Sequence, residues 1–333
     1  MSNVFSIFEI RNKLMSNKTF FSPGKLMLTG EYVVLNGAKS LAIPTGKYGQ
    51  FLEVELNETS SHKWKSYEYQ KKWFEAEFSS DLKQIIFSTD KQKARLLLQI
   101  LQFINENNPG LFKQALSFTT RINFNKEWGF GSSSSLLVLL YKWSGINPFI
   151  LNKKFFGGSG YDIAVGLENK PLIYQLKENY TNLHNSRPLW KEKKGPYWEV
   201  FPSLDFSFSS DLKLVYLNKK QKSLDEIKKY SSLSIKPAQI KKISSITEKM
   251  IEVQNKSDFM NLIKEHEQII SSILGRPRIK EQYFSDFEGE IKSLGAWGGD
   301  FVLAIGNNSQ EYFSKKSFGT ILDFHKMLKE KQS

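Results

Sequence analysis

The 333-residue chain contains no cysteine, which excludes a disulfide framework, a thiolate metal centre and a thiol nucleophile. Histidine is scarce. The four residues His62, His184, His266 and His325 form no H-E-x-x-H or other metal-ligand spacing. His266 sits in the charged helical stretch Lys264-Glu265-His266-Glu267 and reads as a surface or half-buried side chain. No run of about 18 apolar residues occurs, so no membrane-spanning helix and no membrane partner are expected. Residues 1–18 carry Glu9, Arg11, Lys13 and Lys18 and lack the apolar stretch and cleavage site of a signal peptide, which makes a cytoplasmic protein the simplest expectation. Two phosphate-loop signatures are missing as well. G-x-x-x-x-G-K-[ST] does not occur, and the third glycine of G-x-G-x-x-G would fall at Ser134.

The formal charge is +13, but only six of the 47 basic residues are arginine and the lysines are spread over the whole chain. Such a distribution describes a solvated surface rather than a nucleic-acid face, and no nucleic-acid partner is expected. A diffuse positive field can still steer an anionic substrate. Hydrophobic residues make up 40% and aromatics 14%, enough for a substantial core, and the length suits two domains of about 100–200 residues each.

Residues 20–56 read as strands and turns, with Ser22-Pro23-Gly24 and Asn36-Gly37 as turn signals and Leu26-Met27-Leu28 and Tyr32-Val33-Val34-Leu35 as flanking strands. Residues 50–56 and 64–78 alternate as a half-buried meander, and residues 90–107 repeat apolar positions at helical spacing through Leu97, Ile100, Leu101 and Ile104. A strand over 116–124 runs into an almost wholly apolar, hence buried, helix over 132–143. A glycine-rich turn over 155–166 leads into a short helix, and residues 171–176 are strand-like. Residues 178–205 carry Pro188, Pro196 and Pro202 and read as a linker or substrate loop. Then come a strand at 212–217, helices at 224–230, 237–254 and 258–274, a strand at 301–305 and a terminal helix over 311–330. Strands and helices that mix without strict alternation predict two α+β domains, 1–205 and 206–333.

The most informative string is Asn125-Lys126-Glu127-Trp128-Gly129-Phe130-Gly131-Ser132-Ser133-Ser134-Ser135, followed by an apolar run. Gly129 and Gly131 can take φ > 0 and admit an anion close to the backbone. The serines can cap the helix and present hydroxyls, and the N–H groups and dipole at that end favour negative charge. An ordinary glycine turn capping a core helix fits the same residues.

Two further motifs decide between these readings. Ser22-Pro23-Gly24-Lys25-Leu26-Met27-Leu28-Thr29-Gly30-Glu31-Tyr32 precedes the loop. Gly158-Ser159-Gly160-Tyr161-Asp162 belongs with the loop as the rest of the second motif, and Gly295-Ala296-Trp297-Gly298-Gly299-Asp300 follows as the third. In these residues, taken in this order over roughly 20–306, the chain resembles the GHMP kinases, named for galactokinase, homoserine kinase, mevalonate kinase and phosphomevalonate kinase. Pro-Gly-Lys followed by Gly-Glu-Tyr is similar to the mevalonate and phosphomevalonate kinase branch, and Gly-Gly-Asp leans towards phosphomevalonate kinase. Gly-Tyr-Asp-Ile-Ala resembles a group of bacterial members.

The resemblance implies a two-domain GHMP kinase fold, with an N-terminal ribosomal-protein-like α+β domain and a C-terminal ferredoxin-like α+β domain. It implies ATP and Mg²⁺ as cofactors and a small-molecule acceptor, most readily mevalonate or phosphomevalonate. A homodimer is a candidate assembly. Asp162 matches the family's catalytic aspartate, a carboxylate able to accept a hydroxyl proton; a helix N-cap is its alternative role. Lys25 matches the first-motif lysine, whose cation can lower the pKa of Asp162 or of the acceptor hydroxyl and neutralise a transferring phosphoryl group. Glu31 can orient Lys25 or an acceptor hydroxyl, or form a structural ion pair. Gly129, Gly131, Ser132, Ser133 and Ser134 match the ATP loop, with Ser132 or Ser133 as a hydroxyl ligand for Mg²⁺. Gly295, Ala296, Gly298, Gly299 and Asp300 match the loop over phosphate or substrate. Arg187, Lys191 and Arg276 are candidate partners for an acceptor carboxylate or phosphate.

The chain also departs from the family pattern. Asn125 stands at the family's proline, Ser134 and Ser135 at its alanines, and Trp297 at a usual glycine. Leu151-Asn152-Lys153-Lys154 occupies the region where some members carry a glutamate for Mg²⁺. A diphosphomevalonate decarboxylase-like enzyme and a non-catalytic nucleotide- or metabolite-binding protein are the alternative functions.

Overall fold

The computed structural model describes residues 18–176, 196–218 and 234–329. The strands and helices, in chain order, are β1 (Lys18–Met27), β2 (Ser40–Leu56), β3 (His62–Glu68), β4 (Lys71–Phe78), β5 (Ile85–Ser88), α1 (Lys91–Asn107) and β6 (Leu116–Ile122). Next come α2 (Ser132–Ser144), α3 (Pro148–Phe155), α4 (Tyr161–Glu168), β7 (Leu172–Gln175), β8 (Tyr197–Val200) and β9 (Leu212–Tyr216). The last are α5 (Pro237–Glu252), α6 (Lys256–Leu274), α7 (Ile279–Tyr283), β10 (Glu290–Leu294), β11 (Phe301–Ile305), α8 (Ser309–Lys315), β12 (Ile321–Asp323) and α9 (Phe324–Lys329). The chain forms two interleaved compact units. The first comprises residues 18–23, 48–126 and 132–163, and the second comprises the other described residues.

In the first unit β5, β4, β3, β6 and the C-terminal half of β2 form one sheet. All pairings are antiparallel except β3 with β6, which run parallel. A parallel pair needs a crossover, and the β4–β5 hairpin and α1 supply it. Asp90 starts α1, its carboxylate accepting from Gln92 and Lys93 N–H. The buried face of α1 is Ala94, Leu97, Leu98, Ile100, Leu101, Phe103 and Ile104, the period read from the sequence. Strand β6 alternates buried and half-buried residues along its whole length. Phe118 on β6 stacks on Trp64 at 4.9 Å and meets Trp143 of α2 edge-on at 5.1 Å, which seats α2 under the sheet. Across the β3–β4 hairpin, Lys63 lies opposite Glu77 and Lys65 opposite Glu75, so the cations here face carboxylates instead of gathering into a basic stripe.

In the second unit the N-terminal residues of β2 pair with β7, and β7 with β8, both antiparallel. A separate antiparallel sheet runs β10-β11-β9-β12. Helix α5 packs on α6, and α6 on β10. Asn255 caps α6 through the Asp258 N–H, and Gly275 ends it at φ 62°, the left-handed geometry that suits glycine.

Three expectations need correction. Residues 34–36 form a 3₁₀ turn rather than a strand, because Tyr32 (φ 67°) and Gly37 (φ 86°) reverse the backbone on either side. The terminal helix expected over 311–330 is broken. Ser317 takes φ 65°, and residues 321–323 pair with β9 as β12, which parts α8 from α9. His266 lies fully buried in α6 rather than at the surface, because Glu267 and Lys292 bury their charges beside it. The helix expected over 224–230 and the greater part of the 178–205 loop, with His184, Arg187 and Lys191, lie outside the described residues.

Candidate functional site

The second unit gathers parts of all three motifs. Lys25, half-buried on β1, donates its backbone N–H to the Phe130 carbonyl at 3.0 Å and its Nζ to the Gly129 carbonyl at 3.2 Å. Gly24 permits this approach, since a Cβ there would stand 2.6 Å from Thr45 Oγ1 and 2.9 Å from the Phe130 carbonyl. Phe130 is fully buried and stacks on Phe301 at 5.3 Å, which fixes the glycine loop to β11.

The third motif connects the antiparallel strands β10 and β11. It turns through positive φ at Gly295 (76°), Gly298 (76°) and Asp300 (52°). Asp300 is 5% exposed and its carboxylate lies against both Gly129 and Gly295. A Cβ on Gly295 would stand 3.0 Å from Asp300 Oδ2, and one on Gly129 (φ 68°) would overlap that oxygen. The first motif's lysine, the second motif's glycines and the third motif's aspartate therefore meet in one place. Trp297 is buried. Its backbone N–H donates to the Tyr32 hydroxyl at 2.6 Å and its ring N–H to the Pro277 carbonyl at 3.2 Å. Desolvation, with the nearby Asp300 and Glu127 charges, pushes the Tyr216 phenol above its usual pKa and keeps it neutral; its hydroxyl donates to the Glu127 carbonyl.

Beneath this surface, the Thr29-Gly30-Glu31 turn is held by buried polar groups. Thr29 Oγ1 shares a 2.7 Å hydrogen bond with Thr247 Oγ1 of α5. Gly30 (φ 90°) has no room for a Cβ because Ser40 fills the space, and its N–H donates to His266 Nε2 at 3.0 Å. Glu31 accepts from Lys292 Nζ at 2.8 Å, which gives it the structural ion pair anticipated as one of its roles. Lys292 and the burial of His266 and Glu267 escaped the sequence reading. A buried Lys-Ser pair on β10 has no periodic signature, and His266-Glu267 reads as charged helix surface.

Burial pushes the His266 imidazole down to about 3, with the Lys292 charge acting in the same direction. Neutral His266 can therefore accept the Gly30 N–H, which an imidazolium cannot do. Its folded pKa lies below the unfolded 6.5, so this group's stability contribution is complete above pH 6.5 and is lost as pH falls towards 3. The expected slope is about 1.4 kcal/mol per pH unit in that window. Burial raises the Glu267 carboxyl, which acts in the opposite sense: its contribution is present at low pH and is lost as pH rises past the unfolded value of 4.5. The His266 contribution is therefore isolated as the difference between wild type and His266→Gln in thermal unfolding from pH 7.5 to 4. A constant difference across that range would contradict it.

Ser132, Ser133, Ser134 and Asp162 belong to the first unit. Ser132 opens α2 half-buried, Ser133 is exposed and Ser134 is buried. Asp162 stands half-buried in the first turn of α4, its Oδ1 accepting from the Ile163 N–H at 3.0 Å. Helix α3 carries no carboxylate, and its Leu151 and Asn152 are buried. Arg276 is half-buried just past the α6 cap.

No protein-family model matches the chain, and no curated protein sequence matches it. Solved structures do resemble it. Streptococcus pneumoniae phosphomevalonate kinase, in complex with phosphomevalonate and AMPPNP, gives a TM-score of 0.66 at 15% identity over 92% of this chain and 99% of that one. Methanococcus jannaschii mevalonate kinase gives 0.62 at 15% over 92% and 97%. Lactococcus lactis galactokinase complexed with galactose gives 0.56 at 14% over 95% and 94%. The chain has the mixed α+β fold of the GHMP kinases. No helix among the described residues is long and apolar enough to cross a membrane.

Proposed function

We propose that the protein is an ATP-dependent small-molecule kinase that transfers the γ-phosphoryl group to a hydroxyl or phosphate of a small anionic metabolite. Mevalonate and phosphomevalonate are the favoured acceptors. The observation that carries this reading is the meeting of Lys25 with Gly129 and of Gly129 with Asp300, three motif residues far apart in sequence. The fold shared with enzymes solved with AMPPNP, phosphomevalonate or galactose supports it.

In this reading the backbone amides of 129–134 hold the β- and γ-phosphates, for which the positive φ of Gly129 and Gly131 and the helix start at Ser132 are suited. Asp162 accepts the acceptor's proton, and Lys25 offsets charge on the transferring group. The loop 295–300 lies over phosphate or acceptor, with Glu31 behind it. Among the described residues no group of three or more His, Asp or Glu side chains could hold a metal ion. Mg²⁺ would be held by the ATP phosphates and water with the Ser132 and Ser133 hydroxyls as the protein's donors, or with one further carboxylate, and would neutralise charge on those phosphates. Residues 1–205 and 206–333 would be the two kinase domains.

A coupled ADP-release screen over mevalonate, phosphomevalonate, sugars and homoserine tests the reading. Acceptor-dependent ADP release is expected. ATP binding by calorimetry without transfer to any acceptor would favour a non-catalytic binding protein, a reading motivated by the carboxylate-free α3 and by Trp297. Release of CO₂ would favour the decarboxylase.

A further inference from the structure

Three pairs of adjacent residues form a closed ring under the site. Gly30 N–H donates to His266 Nε2, and Glu31 accepts from Lys292 Nζ. Glu267 Oε1 accepts from Lys292 Nζ at 3.2 Å, and its Oε2 from the Ser293 N–H at 3.0 Å. His266 Nδ1 faces Glu267 Oε1 at 3.4 Å. Lys292 is 1% exposed and spends its three ammonium donors on Glu31, Glu267 and the Ser293 carbonyl. Burial works against its charge, yet the two carboxylates outweigh that and hold its pKa above the usual value. The ring continues into the third motif, where the Gly298 N–H donates to Ser293 Oγ and the Trp297 N–H to the Tyr32 hydroxyl.

A cluster of two carboxylates and one ammonium, fully buried, is a poor device for stability alone. Apolar replacements of such clusters are often neutral or stabilising, whereas an ion cluster can fix register. Glu31 Oε2 is also buried without a hydrogen-bond partner, a cost that a purely structural pair would avoid.

We propose that Lys292 is a positioning residue that locks the Gly30-Glu31 turn of the first motif to the glycine loop 295–300. It cannot touch an acceptor itself, and it acts through Glu31. The activity arm of the test rests on the kinase reading, while the exchange arm does not. Glu31→Gln removes the excess negative charge and leaves Lys292 paired with Glu267. It is expected to keep or raise the thermal midpoint while kcat falls about 10²-fold, the scale of a small misplacement. Amide hydrogen exchange over 295–300 is expected to speed up. Lys292→Met gives the same fall in kcat, and the double variant falls no further. Glu290→Gln is the control. Glu290 shares β10 and accepts from Arg278 rather than from Lys292, so this change lowers the midpoint and leaves kcat unchanged.

Normal kcat with unchanged exchange in Glu31→Gln, or losses that multiply in the double variant, would overturn the proposal. An acceptor contact made by Glu31 alone predicts unchanged exchange and an active Lys292→Met, which also overturns it. If Lys292→Met does not fold, exchange in Glu31→Gln decides. If wild type releases no ADP with any acceptor, the kinase reading fails and exchange still decides this one.

Discussion

Asp162→Asn is expected to lower kcat by about 10²–10⁴-fold, the usual contribution of a general base, without moving the thermal midpoint. Asparagine keeps the shape and can still accept the Ile163 N–H through its carbonyl oxygen, so the α4 turn survives. What it loses is basicity. A helix cap alone would lose little by this change, so the variant separates the two roles. Lys25→Met is expected to fail in parallel, since a methionine cannot donate to the Gly129 carbonyl or offset phosphoryl charge. ATP turnover is read by coupled ADP release and folding by thermal denaturation. Near-normal turnover in both variants would remove the roles assigned to Asp162 and Lys25.

Gly129→Ala should have the largest effect on folding and site together. The residue sits at φ 68°, where an L side chain costs about 1–2 kcal/mol. Its new Cβ would also overlap Asp300 Oδ2, and Asp300 is itself buried, so the carboxylate cannot simply swing away. Overpacking of this kind adds about 1–3 kcal/mol, for a total loss of about 2–5 kcal/mol. Gly145→Ala is the reference. Gly145 has φ 77° and nothing within 4 Å of a new Cβ, so only the backbone cost applies. The difference between the two variants in denaturant unfolding measures the Asp300 contact. Combining Gly129→Ala with Asp300→Ala should recover part of it, and full additivity of the two changes would contradict the contact.

Much of this was legible in the sequence, for physical reasons that vary by element. Helix α1 shows a helical apolar period and strand β6 shows alternation, because each buries one face only. The glycine motifs are legible because the left-handed backbone at Gly129, Gly131, Gly295 and Gly298 favours that residue. Strand β10 was not found. All five of its residues are buried, including Glu290, Lys292 and Ser293, so polarity no longer reports exposure. His266 was misplaced for the same reason. Its neighbours' charges are neutralised by a lysine on another element, and no local pattern records that pairing. The break between α8 and α9 turns on Ser317 at φ 65°, and serine does not advertise that conformation.

The ring of Glu31 and Lys292 joins residues 261 positions apart. At a synthesis rate of about 5–20 residues per second, the turn that carries Glu31 leaves the ribosome on the order of 10–50 s before its lysine. Throughout that interval Glu31 must stay hydrated, because a buried carboxylate without its cation is strongly unfavourable. Thr29 waits almost as long for Thr247. The first motif is thus made well before the partners that set it. A nascent chain cannot present a finished site until β10 has emerged, so the turn that carries Glu31 is completed by a strand made long after it.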